Sequence, residues 1–314
     1  MLKTLLRPGM IFAAFTVGAI VQSIFHFSWH IANFDIATWY IRFALMVMFY
    51  FVSLGIKLEE FKFQKEHWLI LLLNLAMGLV PYGILKFLGY HELALAAFFT
   101  GISPTANAAP FVMSFLNGKV GFVLSGFVLT NLVITLLMIV LLPLITGQVD
   151  SMYMAIVALQ MFVLLGVPLT LGAITRKFYK NAASLPKKFK LFNFTLWCTM
   201  IGIISARTTE FFYTNKEISW TLAVKIMLIS LFICILNFTL GYFFSSKEYK
   251  RESSQTLGQK NTSFTIFSAL AFGGPMGVLA SLGPAFYVIW HNCWNAIQMY
   301  MFDKKKLNEE TKKK

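Results

Sequence analysis

Apolar stretches long enough to cross a bilayer recur about ten times in this chain, at 9–28, 36–56, 68–88, 92–116, 120–146, 152–175, 190–208, 219–244, 254–272 and 276–302. Runs of about twenty such residues suit membrane-crossing helices. With 58% of 314 residues apolar and only 13% charged, a water-soluble fold would have too little polar surface to cover itself. The connections are short and none reads as a separate soluble domain. The expectation is therefore one all-α polytopic membrane domain over 1–314, with a basic tail at 303–314.

A net charge of +14 suggests nucleic-acid binding until its distribution is considered. With the N-terminus inside, Lys3, Arg7, Lys57, Lys62, Lys65 and Lys119 all fall on inner connections. So do the clusters at 176–190 and 247–251 and the closing lysines at 304–306 and 312–314, whereas the outer connections hold only Lys86, Arg207 and Lys216. That bias is a topology signal placing both termini in the cytoplasm of a multi-pass cell-membrane protein. Lipid bilayer is the expected partner, with weak attraction to anionic lipid as a by-product and no nucleic acid. The basic, then apolar, opening stretch resembles a secretory signal, but the further spans and the lack of an A-x-A-like site favour its retention as the first span. Cys198, Cys234 and Cys293 are scattered, have no metal-ligand spacing and read as small apolar fillers.

Two stretches interrupt the apolar pattern. TLGQKNTS at 256–263 places Lys260 inside a span, where a cation costs about 2.5–3.5 kcal/mol and persists only if paired, hydrated or functional. About 155 residues earlier, SPTANAAP at 103–110 cannot continue as regular helix, because Pro104 and Pro110 remove two backbone donors. Asn107 offers side-chain bonds to the freed groups. One such break is readily a proline kink; two in corresponding halves point to a transporter's binding site. Gly258 allows close approach or unusual dihedrals, and Gln259, Lys260, Asn261, Thr262 and Ser263 crowd polar groups beside it.

A third polar stretch, FYVIWHNCWNAIQMY, carries His291, Asn292 and Asn295, of which His291 and Asn295 share a helix face. An intramembrane His serves either as a hydrogen-bonded packing residue, the commoner role, or as a proton relay. Arg42 and Lys225 read as snorkelling side chains or as signs of a span drawn a turn wrong. No nucleophile–base pair, phosphate loop or HExxH motif is present, so neither an enzyme nor a cofactor or metal is expected.

These residues resemble the bile acid:sodium symporter family along nearly the whole chain. FVSLGIKLEEFK at 51–62, LVPYGILKFLG with Pro81, SPTANAAPFVMSFLNGKVGFVLS, TLGQKNTS and the WHN at 290–292 are similar to that family's motifs in order and spacing. The resemblance implies two inverted five-helix repeats, about 9–146 and 152–302, with broken helices four and nine crossing at their interruptions. It also implies that the family's sodium-binding side chains are replaced here, by Ala76, Ala109, Pro110, Val123, Phe127, Thr256 and Lys260. A sodium cage needs clustered oxygens, which these positions lack.

The resulting expectation is a secondary transporter or facilitator of a small organic anion, independent of sodium, with Lys260 in place of the coupling cation. Its substrate or coupling site would comprise Lys260, Asn261, Gln259, Thr256, Thr105, Asn107, His291 and Asn292. Lys260 either cycles a proton, making protons a second partner, or stays charged in an exchanger or uniporter. A transporter-like ligand sensor and a relative of arsenite-efflux proteins are the alternatives; the lack of cysteine in SPTANAAP weighs against the latter.

Overall fold

Helix runs through every apolar stretch, and in two of them it stops and restarts. The computed structural model describes residues 2–31, 34–55, 62–106, 108–147, 151–214 and 219–311. The sequence-predicted site residue Asn107 lies outside these, as do Lys57, Lys216 and 312–314. In chain order the helices are α1 (Leu2–Phe25), α2 (Ile36–Leu54), α3 (Lys65–Phe87), α4 (His91–Gly101), α5 (Ala109–Phe115), α6 (Val120–Thr146) and α7 (Ser151–Phe178). They continue as α8 (Leu185–Lys188), α9 (Lys190–Thr214), α10 (Trp220–Phe243), α11 (Lys250–Gly258), α12 (Thr262–Phe272) and α13 (Gly277–Thr311). The only strands among the described residues are β1 (His30–Ile31) and β2 (Phe34–Asp35), which pair antiparallel where the sequence suggested a plain loop.

Local chemistry explains several boundaries. The Ser219 side chain accepts the Thr221 N–H at 3.1 Å and starts α10. Gly147, at φ 74°, closes α6 in the left-handed region that favours glycine. Helix α13 continues to Thr311, well into the expected basic tail, because lysine is a good helix former and nothing there breaks the turn.

Burial differs from that of a soluble protein. Leu132, Leu136 and Leu144 of α6, and Leu72 of α3, present large apolar side chains outward, while Asn74, Thr100, Ser103 and Thr105 are buried. An apolar outer surface over an apolar core that also buries hydrogen-bonded polar groups is the arrangement a hydrocarbon surrounding suits. Helices α3, α6 and α10, with the 158–178 portion of α7, are long and apolar enough to cross a membrane. Lys225 is exposed near the start of α10, and the Arg42 guanidinium lies 5.1 Å from the Trp39 ring centroid, so neither enters the interior polar system.

Packing positions the two interruptions together. Helix α1 lies on α9, and α2 on α7 and α9; α3 lies on α4, and α10 on α4, α11 and α13. Arg207 of α9 reaches Asp35 at 3.0 Å, while Asp35 also caps α2 by accepting the Thr38 N–H at 3.1 Å. The ends of α4 and α11 approach their neighbours closely. A Cβ on Gly101 would stand 1.9 Å from the Met77 carbonyl oxygen, and one on Gly258 would stand 2.3 Å from the Phe238 ring. Close approach, not a positive φ, is therefore what Gly258 supplies.

Candidate functional site

The segment 102–106 that follows α4 crosses the segment 259–261 between α11 and α12. They form a minimal antiparallel bridge at Thr105 and Lys260. Ala106 N–H donates to the Gln259 carbonyl at 2.7 Å, and Asn261 N–H donates to the Pro104 carbonyl at 2.6 Å. Each unwound segment thus satisfies part of the other's backbone, as interrupted chain within a buried interior must.

Side chains complete the crossing. Thr105 Oγ1 donates to the Thr256 carbonyl at 2.7 Å and accepts from Thr130 Oγ1 at 3.0 Å. The Asn131 amide donates to the Thr105 carbonyl at 2.8 Å, and its own oxygen accepts from Asn261 Nδ2 at 3.1 Å. Ser103 and Thr265 share a hydroxyl–hydroxyl bond across the two interrupted helices.

Lys260 lies at the centre of this network and is 1% exposed. Its ammonium donates to Asn74 Oδ1 of α3 and, at 3.2 Å, to the Gly101 carbonyl, the last residue of α4. Asn74 in turn donates to the Ile102 carbonyl at 3.1 Å. No carboxylate lies within ion-pair distance of Lys260 among the described residues. The Lys260 nitrogen is therefore held by an amide oxygen and the carbonyl-rich end of a helix, where the macrodipole favours a cation. Amide and carbonyl oxygens are also the ligands a bound sodium or potassium ion would take.

The expected site residues divide. Lys260, Thr105, Gln259 and Asn261 meet at the crossing, and Asn261 is the one partly exposed there. Thr256 contributes its carbonyl, but its hydroxyl donates back to the Glu252 carbonyl at 2.7 Å, inside its own helix. Asn292 likewise donates to the Val288 carbonyl at 2.6 Å along α13. His291 is 2% exposed, and both its ring nitrogens lack a partner among the described residues. Sequence reasoning missed Asn74, Thr130 and Asn131. The available signal was a lone amide in each of two apolar runs, LLLNLAMG and LTNLV. Of the positions where the resemblance implies lost sodium ligands, Ala109, Val123 and Phe127 are buried apolar side chains.

Fold and site together define a class: a helical protein with several helices long and apolar enough to cross a membrane, built around two interrupted helices that pair at a buried lysine. No protein-family model matches the chain, and no curated protein matches it.

Proposed function

We propose that this protein is a multi-pass cell-membrane transporter or facilitator for a small organic anion, working without sodium, with Lys260 as a tethered cation. The fold would be the two inverted five-helix repeats of the bile acid:sodium symporter type, with both termini in the cytoplasm. The observation that carries the reading is the Lys260 ammonium, buried against the Gly101 carbonyl and Asn74 Oδ1 with no acidic partner among the described residues. A positive charge held by neutral oxygens does electrostatically what a bound metal cation would do there, and a proton that leaves Lys260 during the cycle would make the transport proton-coupled. The charge needs no metal ion from solution. Together with the amino end of α12, which starts at Thr262, it favours a carboxylate or sulfonate approaching the crossing. Asn261, partly exposed and held by Asn131, is the residue through which such a ligand reaches the crossing.

The test is uptake of radiolabelled organic anions into proteoliposomes, with choline replacing sodium at constant ionic strength. Flux is expected to be unchanged by the replacement. A steep, saturable sodium dependence would refute the tethered-cation reading. Binding without any flux in the same sample would favour a sensor, a reading supported by how fully Lys260 is engaged by fixed oxygens.

A further inference from the structure

A second polar system lies between α10, α11 and α13, beside the crossing at Gly258. Along α13, Tyr287, His291, Asn295 and Gln298 recur at intervals of one helical turn and share a face. The Tyr287 hydroxyl donates to the Gly258 carbonyl at 2.8 Å, at the edge of the crossing, and accepts from Asn237 Nδ2 of α10 at 3.0 Å. Two turns further along, Asn295 Oδ1 accepts from Gln255 Nε2 of α11 at 3.1 Å. His291 therefore lies between two points at which α13 meets α11. Further still, the Arg251 guanidinium carbon stands 5.9 Å from the Phe302 ring centroid, so the stripe runs toward the end of the molecule where α11 begins.

Much of this stripe's hydrogen-bonding capacity is unused. Both ring nitrogens of His291, Asn295 Nδ2, Asn237 Oδ1, Gln255 Oε1 and Gln298 Oε1 are buried with no partner among the described residues. Asn237, Gln255, His291 and Asn295 are each at most 3% exposed. Turning over the Gln255 or Asn295 amide changes which atom is left unpaired without removing the shortfall. A dry interior does not tolerate so many unpaired donors and acceptors side by side. The groups carry no fixed charge and mix donors with acceptors, which suits a neutral partner able to do both. Successive positions on the face are about 6 Å apart along the axis, a gap that one water spans with two hydrogen bonds of about 2.8 Å.

We propose that this stripe binds a file of internal water, joining the crossing at Gly258 to the aqueous phase at the end of the molecule where α11 begins. The inference rests on the membrane placement of α13, and the test separates the two. In a variant freed of its three native cysteines, single cysteines at Gln298, Asn295 and His291 are reacted with 2-aminoethyl methanethiosulfonate in proteoliposomes. Cysteines replacing Trp294 and Ile297, which are 41% and 52% exposed on the outer surface of the same helix, serve as controls. Only a hydrated thiol ionises and reacts, so the stripe positions should label at least about tenfold faster than the controls, most slowly at His291. Stripe cysteines as silent as the controls would overturn the water file alone, as would labelling confined to Gln298. Controls labelling as fast as the stripe would overturn the membrane placement and the file together. Asn295→Leu supplies a measurement without thiols: it also breaks the bond from Gln255, so with water on the amide nitrogen the melting temperature should fall, whereas a rise would show that nitrogen unpaired in a dry interior and overturn the file.

Discussion

The two breaks that meet at the crossing exchange one backbone bond in each direction but differ in what else they present. The α4–α5 break contains Pro104 and precedes Pro110, so it is short of backbone donors and presents carbonyls at Gly101, Ile102, Pro104 and Thr105. The α11–α12 break contains no proline and supplies donors, the Asn261 N–H and the Lys260 ammonium. The remaining carbonyls of the first break are met by Asn74 and Asn131. The lysine is thus both the charge of the crossing and one of the groups that make an interrupted helix tolerable inside an apolar interior. Loss of charge and loss of donor can be separated by choosing the substitution.

The largest effect is expected at Lys260. Glutamine keeps a donor for Gly101 and Asn74 but removes the charge, so Lys260→Gln should stay folded and monodisperse while anion flux falls at least a hundredfold. An opposite charge at 4 Å is worth about 4 kcal/mol at an effective dielectric of 20, enough for a change of that size. Lys260→Met removes the donor as well. It should lower stability by about 1–3 kcal/mol for each oxygen left unpaired, seen as a fall in melting temperature. Near wild-type flux in the glutamine variant would remove the charge from the mechanism and leave Lys260 a purely structural donor.

The amides flanking the crossing sharpen the same contrast. Asn74→Leu strips an oxygen from a buried ammonium and orphans the Ile102 carbonyl, so a loss of about 3–5 kcal/mol is expected. Asn131→Leu leaves only neutral groups unpaired, at Thr105 and Asn261, for a smaller loss of about 1–3 kcal/mol. Thermal unfolding of the two variants in one detergent measures the difference. Equal losses would mean that Asn74 is not the ammonium's main support.

Much of the scaffold was legible because lipid-facing helices need uninterrupted apolar sequence. Helix α6 occupies 120–146, as its apolar run indicates, and the first break falls where proline forbids the ladder. What pairs with Lys260 was not legible. Asn74 is 186 residues away, and only the tertiary approach of α3 to the ends of α4 and α11 brings the two together. The unused polar groups of α13 were half visible. The spacing of His291 and Asn295 marks a shared face, but whether their partners are protein or water depends on how α10 and α11 pack against them.

The smallest effect is expected at the far end of the same pair of interrupted helices, where the turn after α5 meets the start of α11. Glu252, 6% exposed, accepts the Lys119 backbone N–H at 3.0 Å, and Arg251 donates to the Leu116 carbonyl at 2.6 Å. One turn earlier Glu248 pairs with the Lys119 side chain in full contact with water. The hydrogen bond from Lys119 holds the Glu248 carboxyl below its ordinary pKa, and Glu248 in return raises that of Lys119. A carboxyl with a depressed folded-state pKa stabilises above its unfolded pKa, and loses that contribution as pH falls through the folded value. The pair's effect should therefore be present at pH 7 and vanish in the acid range below the usual carboxylate pKa. Because both side chains are solvated, salt screening leaves it near the limit of detection. Glu248→Gln should barely move the melting temperature at pH 7, whereas Glu252→Gln, which weakens a charge-assisted bond to a backbone donor, should lower it measurably. Melting curves for both variants at pH 7 and pH 4 check the ordering. A larger loss at Glu248 would mean that the exposed ion pair, and not the buried acceptor, ties the two interrupted helices together at this end.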